Sequence, residues 1–126
     1  MKYLPNYVAR TLVLGHSKFV GIAVDPSIVS AFHFIVETAA EQLRESGYTI
    51  LLHVIGHGPD SERHWVELLV ANRVAGVIAL PGPGTADPEL YHRLVDSGSK
   101  LVLFDKCIDG LAAPQVSCDY YQCARL

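Results

Sequence analysis

Four short apolar runs punctuate the chain, at 19–24, 48–55, 74–80 and 101–104. Each is nearly continuous in Val, Ile and Leu instead of alternating with polar residues, which is the pattern of parallel strands covered on both faces. Between them the apolar positions recur with a helical period. Over 28–46, Ile28, Phe32, Ile35, Val36, Ala39 and Leu43 fall on one stripe, and Gly47 follows as a left-handed stop. Over 61–73, Trp65, Leu68 and Leu69 form an inner face, with Asp60 or Ser61 placed to cap it. A third helix opens at Asp87-Pro88-Glu89 and runs to Gly98. Its opening supplies a capping side chain, a proline at the first helical position, and an acid at the positive end of the dipole.

The mid-strand positions Gly21, Ile50, Gly76 and Val102 lie 29, 26 and 26 residues apart, a regular strand-helix-strand beat. A further short strand is expected over 114–118, and Asp119 starts what reads as another helix. The fold class predicted is α/β, an open parallel sheet with helices on both faces.

A length of 126 residues suits one domain, and a hydrophobic share of 50% against 18% charged excludes a disordered chain. No apolar run approaches the ~20 residues needed to span a bilayer, and the opening segment lacks an apolar signal core. A cytoplasmic protein is expected, with no membrane partner. The net charge of −3 divides unevenly: residues 1–24 carry Lys2, Arg10 and Lys18 and no acid, so the remainder carries −6. An acidic body with a basic arm can touch a polyanion only through the arm. The three cysteines, Cys107, Cys118 and Cys123, form no CxxC pair, so free thiols are expected in place of a disulfide framework or a four-thiolate zinc site.

In an open parallel sheet, ligands bind beyond the carboxyl ends of the strands. The loops there hold Asp25 and Ser27, then His57, then the Pro81-Gly82-Pro83-Gly84 turn, then Asp105 and Lys106. Phe32 lies just inside the first helix. Carboxylates, hydroxyls and an aromatic face suit a polar ring such as a sugar or nucleobase. Asp25 and Ser27 serve equally as helix caps, and Phe32 equally as core. No GxGxxG follows the first strand, and neither GxxxxGK[ST] nor GxSxG occurs. No catalytic residue, cofactor or metal site is therefore expected. His53 and His57 sit four apart on a strand and a loop, where that spacing does not align two imidazoles.

The most specific stretch is Tyr3-Leu4-Pro5-Asn6-Tyr7-Val8-Ala9-Arg10-Thr11-Leu12. Pro5 and Asn6 open a helix of about six or seven residues, well below the ~12–15 at which an isolated helix becomes marginal in water. It should form only against a partner. The decapeptide resembles the hinge segment of the LacI/GalR transcription regulators, Y-x-P-N-x-x-A-R-x-L. That resemblance implies a hinge helix in the DNA minor groove, contacted by Asn6 and Arg10, with Leu12 wedged between base steps beside the dimer mate's leucine.

The resemblance extends along the chain. Ser17-Lys18-Phe19-Val20-Gly21 is similar to the family's S-x-x-(I/V)-G, and Asn72-Arg73-Val74-Ala75-Gly76-Val77-Ile78 to its R-R-V-D-G-I-I. Asp105-Lys106 falls at the usual D-R, and Val116 to Tyr120 at V-x-x-D-N. Between Val24 and Phe32 the family's V-P-D-I-S-N-P-F-F survives only in the last Phe and in general polarity. By this carry-over, Phe32, Asp105, Lys106 and Asp119 would line one wall of an effector cleft. The expected organisation is a hinge segment over 1–17 and a partial amino-terminal subdomain of an effector-binding domain over 18–126. The helix-turn-helix headpiece and carboxyl-terminal subdomain would be missing from this chain. The expected function is a homodimeric repressor whose core senses a small polar effector and controls operator binding through the hinge. DNA binding would need the missing headpiece. The alternative is a periplasmic-type sugar-binding protein, which shares the fold.

Overall fold

The computed structural model describes residues 15–27, 29–56, 59–80, 87–105 and 108–117. The hinge-like decapeptide with Asn6, Arg10 and Leu12 lies outside them, as do Ile28, His57, the 81–84 turn, Lys106, Asp119 and the three cysteines.

The chain runs β1 (Phe19–Val24), α1 (Val29–Glu45), β2 (Thr49–Val54), α2 (Pro59–Ala71), β3 (Gly76–Leu80), α3 (Pro88–Asp96), β4 (Lys100–Phe104) and β5 (Gln115–Val116). The five strands form one sheet in the order β2-β1-β3-β4-β5, and every neighbouring pair is parallel. Val24 is in register with Val54 on one side and Leu80 on the other.

Strand alternation divides the core into two layers. Ala23, Val77, Ala79, Leu101 and Leu103 meet Trp65, Val66 and Leu69 of α2 and Leu90, Tyr91 and Leu94 of α3. On the opposite face Ile22, Val24 and Leu80 are buried beneath Phe32 and Val36 of α1, with Ile50, Ile78 and Phe104 alongside. Helices therefore cover both faces, as expected, but unequally. No residue of α1 with a described side chain is fully buried, and its apolar stripe is only half-covered.

Three expectations need correction. The run containing β2 reads as a strand covered on both faces, yet β2 is an edge strand, with Leu52 59% and Val54 49% exposed. Its sequence is that of a buried strand because Leu51 faces the main core while Ile50 faces the lesser one. Second, α2 begins at Pro59, so Asp60 and Ser61 lie inside its first turn and do not precede it. Third, Leu68 is 48% exposed, and the inward stripe of α2 is Glu62, Trp65, Val66 and Leu69. The helix leans on the sheet one position away from the predicted face.

The helix stops follow from backbone chemistry. Gly47 (φ 90°) and Gly98 (φ 99°) terminate α1 and α3 in the left-handed region. At the end of α2 the same job falls to Arg73 (φ 48°), whose side chain keeps it in solvent. The N–H groups of Arg73 and Val74 donate back to Val70 and Leu69, and the Arg73 carbonyl accepts from both the amide and the hydroxyl of buried Ser17. Asp87 caps α3, its carboxylate accepting from the Glu89 amide at 3.0 Å, as its sequence position requires.

Candidate ligand site at the carboxyl end of the sheet

Asp25 leaves β1 with its amide bonded to the Leu80 carbonyl, and it is 7% exposed. Its Oδ1 accepts from the Ser27 amide at 2.8 Å and the Ser27 hydroxyl at 2.5 Å. The two residues thus close a turn that leads into α1. Both readings of this pair meet here: the carboxylate organises its own loop, and that loop lies at the ligand end of the sheet.

Phe32 is half-buried and packs edge-to-face on Phe104, with ring centroids 5.3 Å apart and planes at 76°. The contact ties the start of α1 to the end of β4. Asp105 follows at once with φ 71°, a conformation that is rare outside glycine and tolerated by Asp. Its amide donates to the Val116 carbonyl at 2.7 Å, and its carbonyl accepts from the Gln115 side chain. The structure therefore places Asp25, Ser27, Phe32 and Asp105 at the carboxyl end of the sheet, and it joins α1 to β4 there through Phe104. His57, Lys106 and Asp119 fall outside the described residues.

Two polar groups behind this rim escaped the sequence analysis. Glu62, 3% exposed, accepts from the hydroxyl of fully buried Tyr91 at 2.8 Å. Burial pushes the Glu62 carboxyl above the usual range, against the Tyr91 hydroxyl and the Asp87 amide, which hold it down. Burial and the Glu62 charge together push the Tyr91 phenol far up. The signal was present: Glu62 lies three residues before Trp65 on the inward stripe, and an acid at such a position calls for a buried donor.

His53 lies on β2 with its ring stacked on Trp65. Among the described residues no group of three or more His, Cys, Asp or Glu is placed to hold a metal ion. None of their helices is long and apolar enough to cross a membrane.

A five-stranded parallel sheet of order 2-1-3-4-5, with acids and an aromatic pair at its carboxyl end, is an open doubly wound α/β sheet of the kind that takes ligands beyond its strand ends. No family model matches the chain. A curated relative is the transcriptional repressor PurR of Klebsiella pneumoniae, 28% identical over 80 residues, which cover 64% of this chain and 24% of the repressor. The chain thus spans about a quarter of the length of the curated relatives it matches. The lac repressor dimer bound to operator and the anti-inducer ONPF superimposes with a TM-score of 0.67 at 18% identity, over 96% of this chain and 42% of the repressor. A solute-binding protein of an ABC transporter from Clostridium phytofermentans, with bound β-D-glucose, gives a TM-score of 0.69 at 16% identity, over 82% of this chain and 33% of that one. In curated relatives and in fold, the chain matches the effector domain of LacI/GalR regulators, the family its hinge-like decapeptide resembles.

Proposed function

We propose that this chain is the hinge and part of the amino-terminal effector subdomain of a cytoplasmic, homodimeric LacI/GalR-type repressor. The hinge occupies 1–17 and the subdomain 18–126. The observation that carries the reading is a juxtaposition. The string Tyr3-Leu4-Pro5-Asn6-Tyr7-Val8-Ala9-Arg10-Thr11-Leu12 stands directly ahead of a parallel sheet of order 2-1-3-4-5. Solute-binding proteins share such a sheet, but a basic hinge-like arm in front of it answers to no need of theirs.

In this reading a small polar effector, a sugar or nucleobase, is contacted by Asp25, Ser27, Phe32, His57, Asp105, Lys106 and Asp119. No residue is assigned a catalytic role. Effector occupancy changes the arrangement of the domain and so orders or melts the hinge helix, in which Asn6, Arg10 and Leu12 meet operator DNA. The second copy packs on the groove between α1 and β2, a cavity of about 380 Å³ lined by Val24, Val36, Leu52 and Val54 among others.

The test is Leu12→Ala in the full-length protein, with operator affinity measured over a salt series. Affinity should fall while the salt slope, which counts phosphate contacts, stays unchanged. Unchanged affinity removes the wedge role. An exported leader in place of a DNA-reading headpiece in the full-length gene would favour the solute-binding alternative.

A further inference from the structure

All strands of the sheet run parallel, so one end collects every strand start together with the carboxyl ends of α1, α2 and α3. Charge divides between the two ends. The strand-start end carries Lys18, Arg44, Arg73 and Lys100 against the acids Glu45 and Asp96. The opposite end carries Asp25, Asp60, Asp87, Asp105 and Asp109, with Arg63 the one cation among its described residues. The net acidity of the body therefore conceals a polarity along the strands, and a polyanion is not confined to the arm.

The cations are available and two of them are fixed in place. Arg44, Arg73 and Lys100 are exposed, and none of the four forms an ion pair among the described residues. Lys18 Nζ rests 4.6 Å from the centre of the Tyr48 ring. Arg73 adopts φ 48°, a conformation that favours glycine, and its carbonyl accepts from both the amide and the hydroxyl of Ser17. Those bonds tie Arg73 to the segment through which the basic arm, with Lys2 and Arg10, leads into β1. Arg44 and Arg73 also answer the negative ends of α1 and α2. Lys18 and Lys100 stand at strand starts and have no such duty.

We propose that the strand-start end of the sheet is a phosphate-facing surface for duplex DNA, where Lys18, Arg73 and Lys100 add to the contacts of the arm. That the duplex is an operator rests on the regulator reading above. The reach allows it. Lys18 follows Leu12 by six residues, at most about 20 Å of extended chain. With Leu12 lodged in a minor groove about 7.5 Å deep, this end stands no more than about 13 Å from the phosphates, near the ~10 Å Debye length at 0.1 M salt. Long lysine and arginine side chains span the remainder.

The test uses the full-length protein, with affinity for operator and for unrelated duplex measured over a salt series and melting recorded alongside. Arg73→Gly removes the charge and eases the left-handed backbone, so its melting temperature should hold or rise. Arg73→Gly and Lys100→Gln should each flatten the salt slope by about 0.9, an about eightfold loss of affinity at 0.1 M salt that vanishes near 1 M. The loss should be alike on both duplexes, because phosphate contacts carry no sequence. Arg63→Gln, at the opposite end, should keep the native slope. A native slope in Arg73→Gly and Lys100→Gln overturns the proposal and leaves the regulator reading standing. Loss confined to operator, or an equal flattening in Arg63→Gln, also overturns it. A native protein that binds neither duplex overturns the surface and the regulator reading together.

Discussion

The Trp65 indole lies flat on the His53 imidazole, ring centroids 5.1 Å apart and planes 13° from parallel. The stack closes the outer margin of the main core, where β2 has no strand beyond it. His53 Nε2 is buried and has no hydrogen-bond partner among the described residues. Desolvation by burial lowers the affinity of the ring for a proton.

Stability should accordingly fall as the solution is acidified. The folded pKa lies below the unfolded one, so the unfolded chain takes up its proton first. The contribution is complete above about pH 6.5, the ordinary histidine value, and is lost as pH drops through the lowered folded value. Glu62 acts in the opposite sense, because its raised pKa adds stability as pH falls toward the ordinary glutamate value. Comparison of native protein with His53→Phe isolates the histidine. Melting temperatures of His53→Phe should show a shallower acid decline, and an identical decline in both proteins would contradict the assignment.

Gly21 faces α2 because nothing larger fits. A Cβ there would stand 3.1 Å from the Trp65 ring and 3.2 Å from both Leu69 methyl groups. Gly21→Ala should cost about 1–3 kcal/mol in urea unfolding, the range for overpacking a close-packed core. Leu69 can yield where the indole cannot, so Leu69→Val in the same chain should recover part of the loss. Strict additivity of the two substitutions would mean that the contact is not the cause.

The Asp87 cap gives a graded prediction. Asp87→Ala removes the acceptor of the Glu89 amide and should cost about 0.5–2 kcal/mol. Asp87→Asn keeps an oxygen in place and should cost much less. Denaturant midpoints read the order directly, and equal losses would show that charge at the helix start outweighs the hydrogen bond.

The order of elements was legible because strands β1 to β4 are continuous apolar runs and the glycines and Asp87 mark where helices stop and start. Position in the sheet was not. Leu52 and Val54 look like core residues in a list of letters, since whether a strand is central or at an edge is decided by pairings remote in sequence. The true inner face of α2 includes Glu62, which apolar periodicity passes over. At the candidate site, Asp25, Ser27 and Asp105 follow from the rule that ligands gather beyond strand ends. Phe104 does not, since its partner Phe32 lies on an element far away in the chain.

The edge that the sequence hid is also where association can be tested. Phe34 is 74% exposed on α1, and Leu52 and Val54 are 59% and 49% exposed on the neighbouring strand. Leu52 and Val54, exposed along the sheet edge and lining the cavity, favour a covering partner. His33, Glu37 and Arg44 line the same groove, so a second copy in the opposite orientation would meet both signs of charge. Leu52→Lys and Val54→Lys each place a charge in that interface while touching no buried contact of the monomer. Both should shift sedimentation toward the monomer mass and leave the melting of the isolated subunit within about 0.5 kcal/mol of native. A Val95→Glu control on α3, at a site 42% exposed on the other face, should leave association unchanged. Dissociation by the control but not by the two edge variants would move the interface to the α2–α3 side.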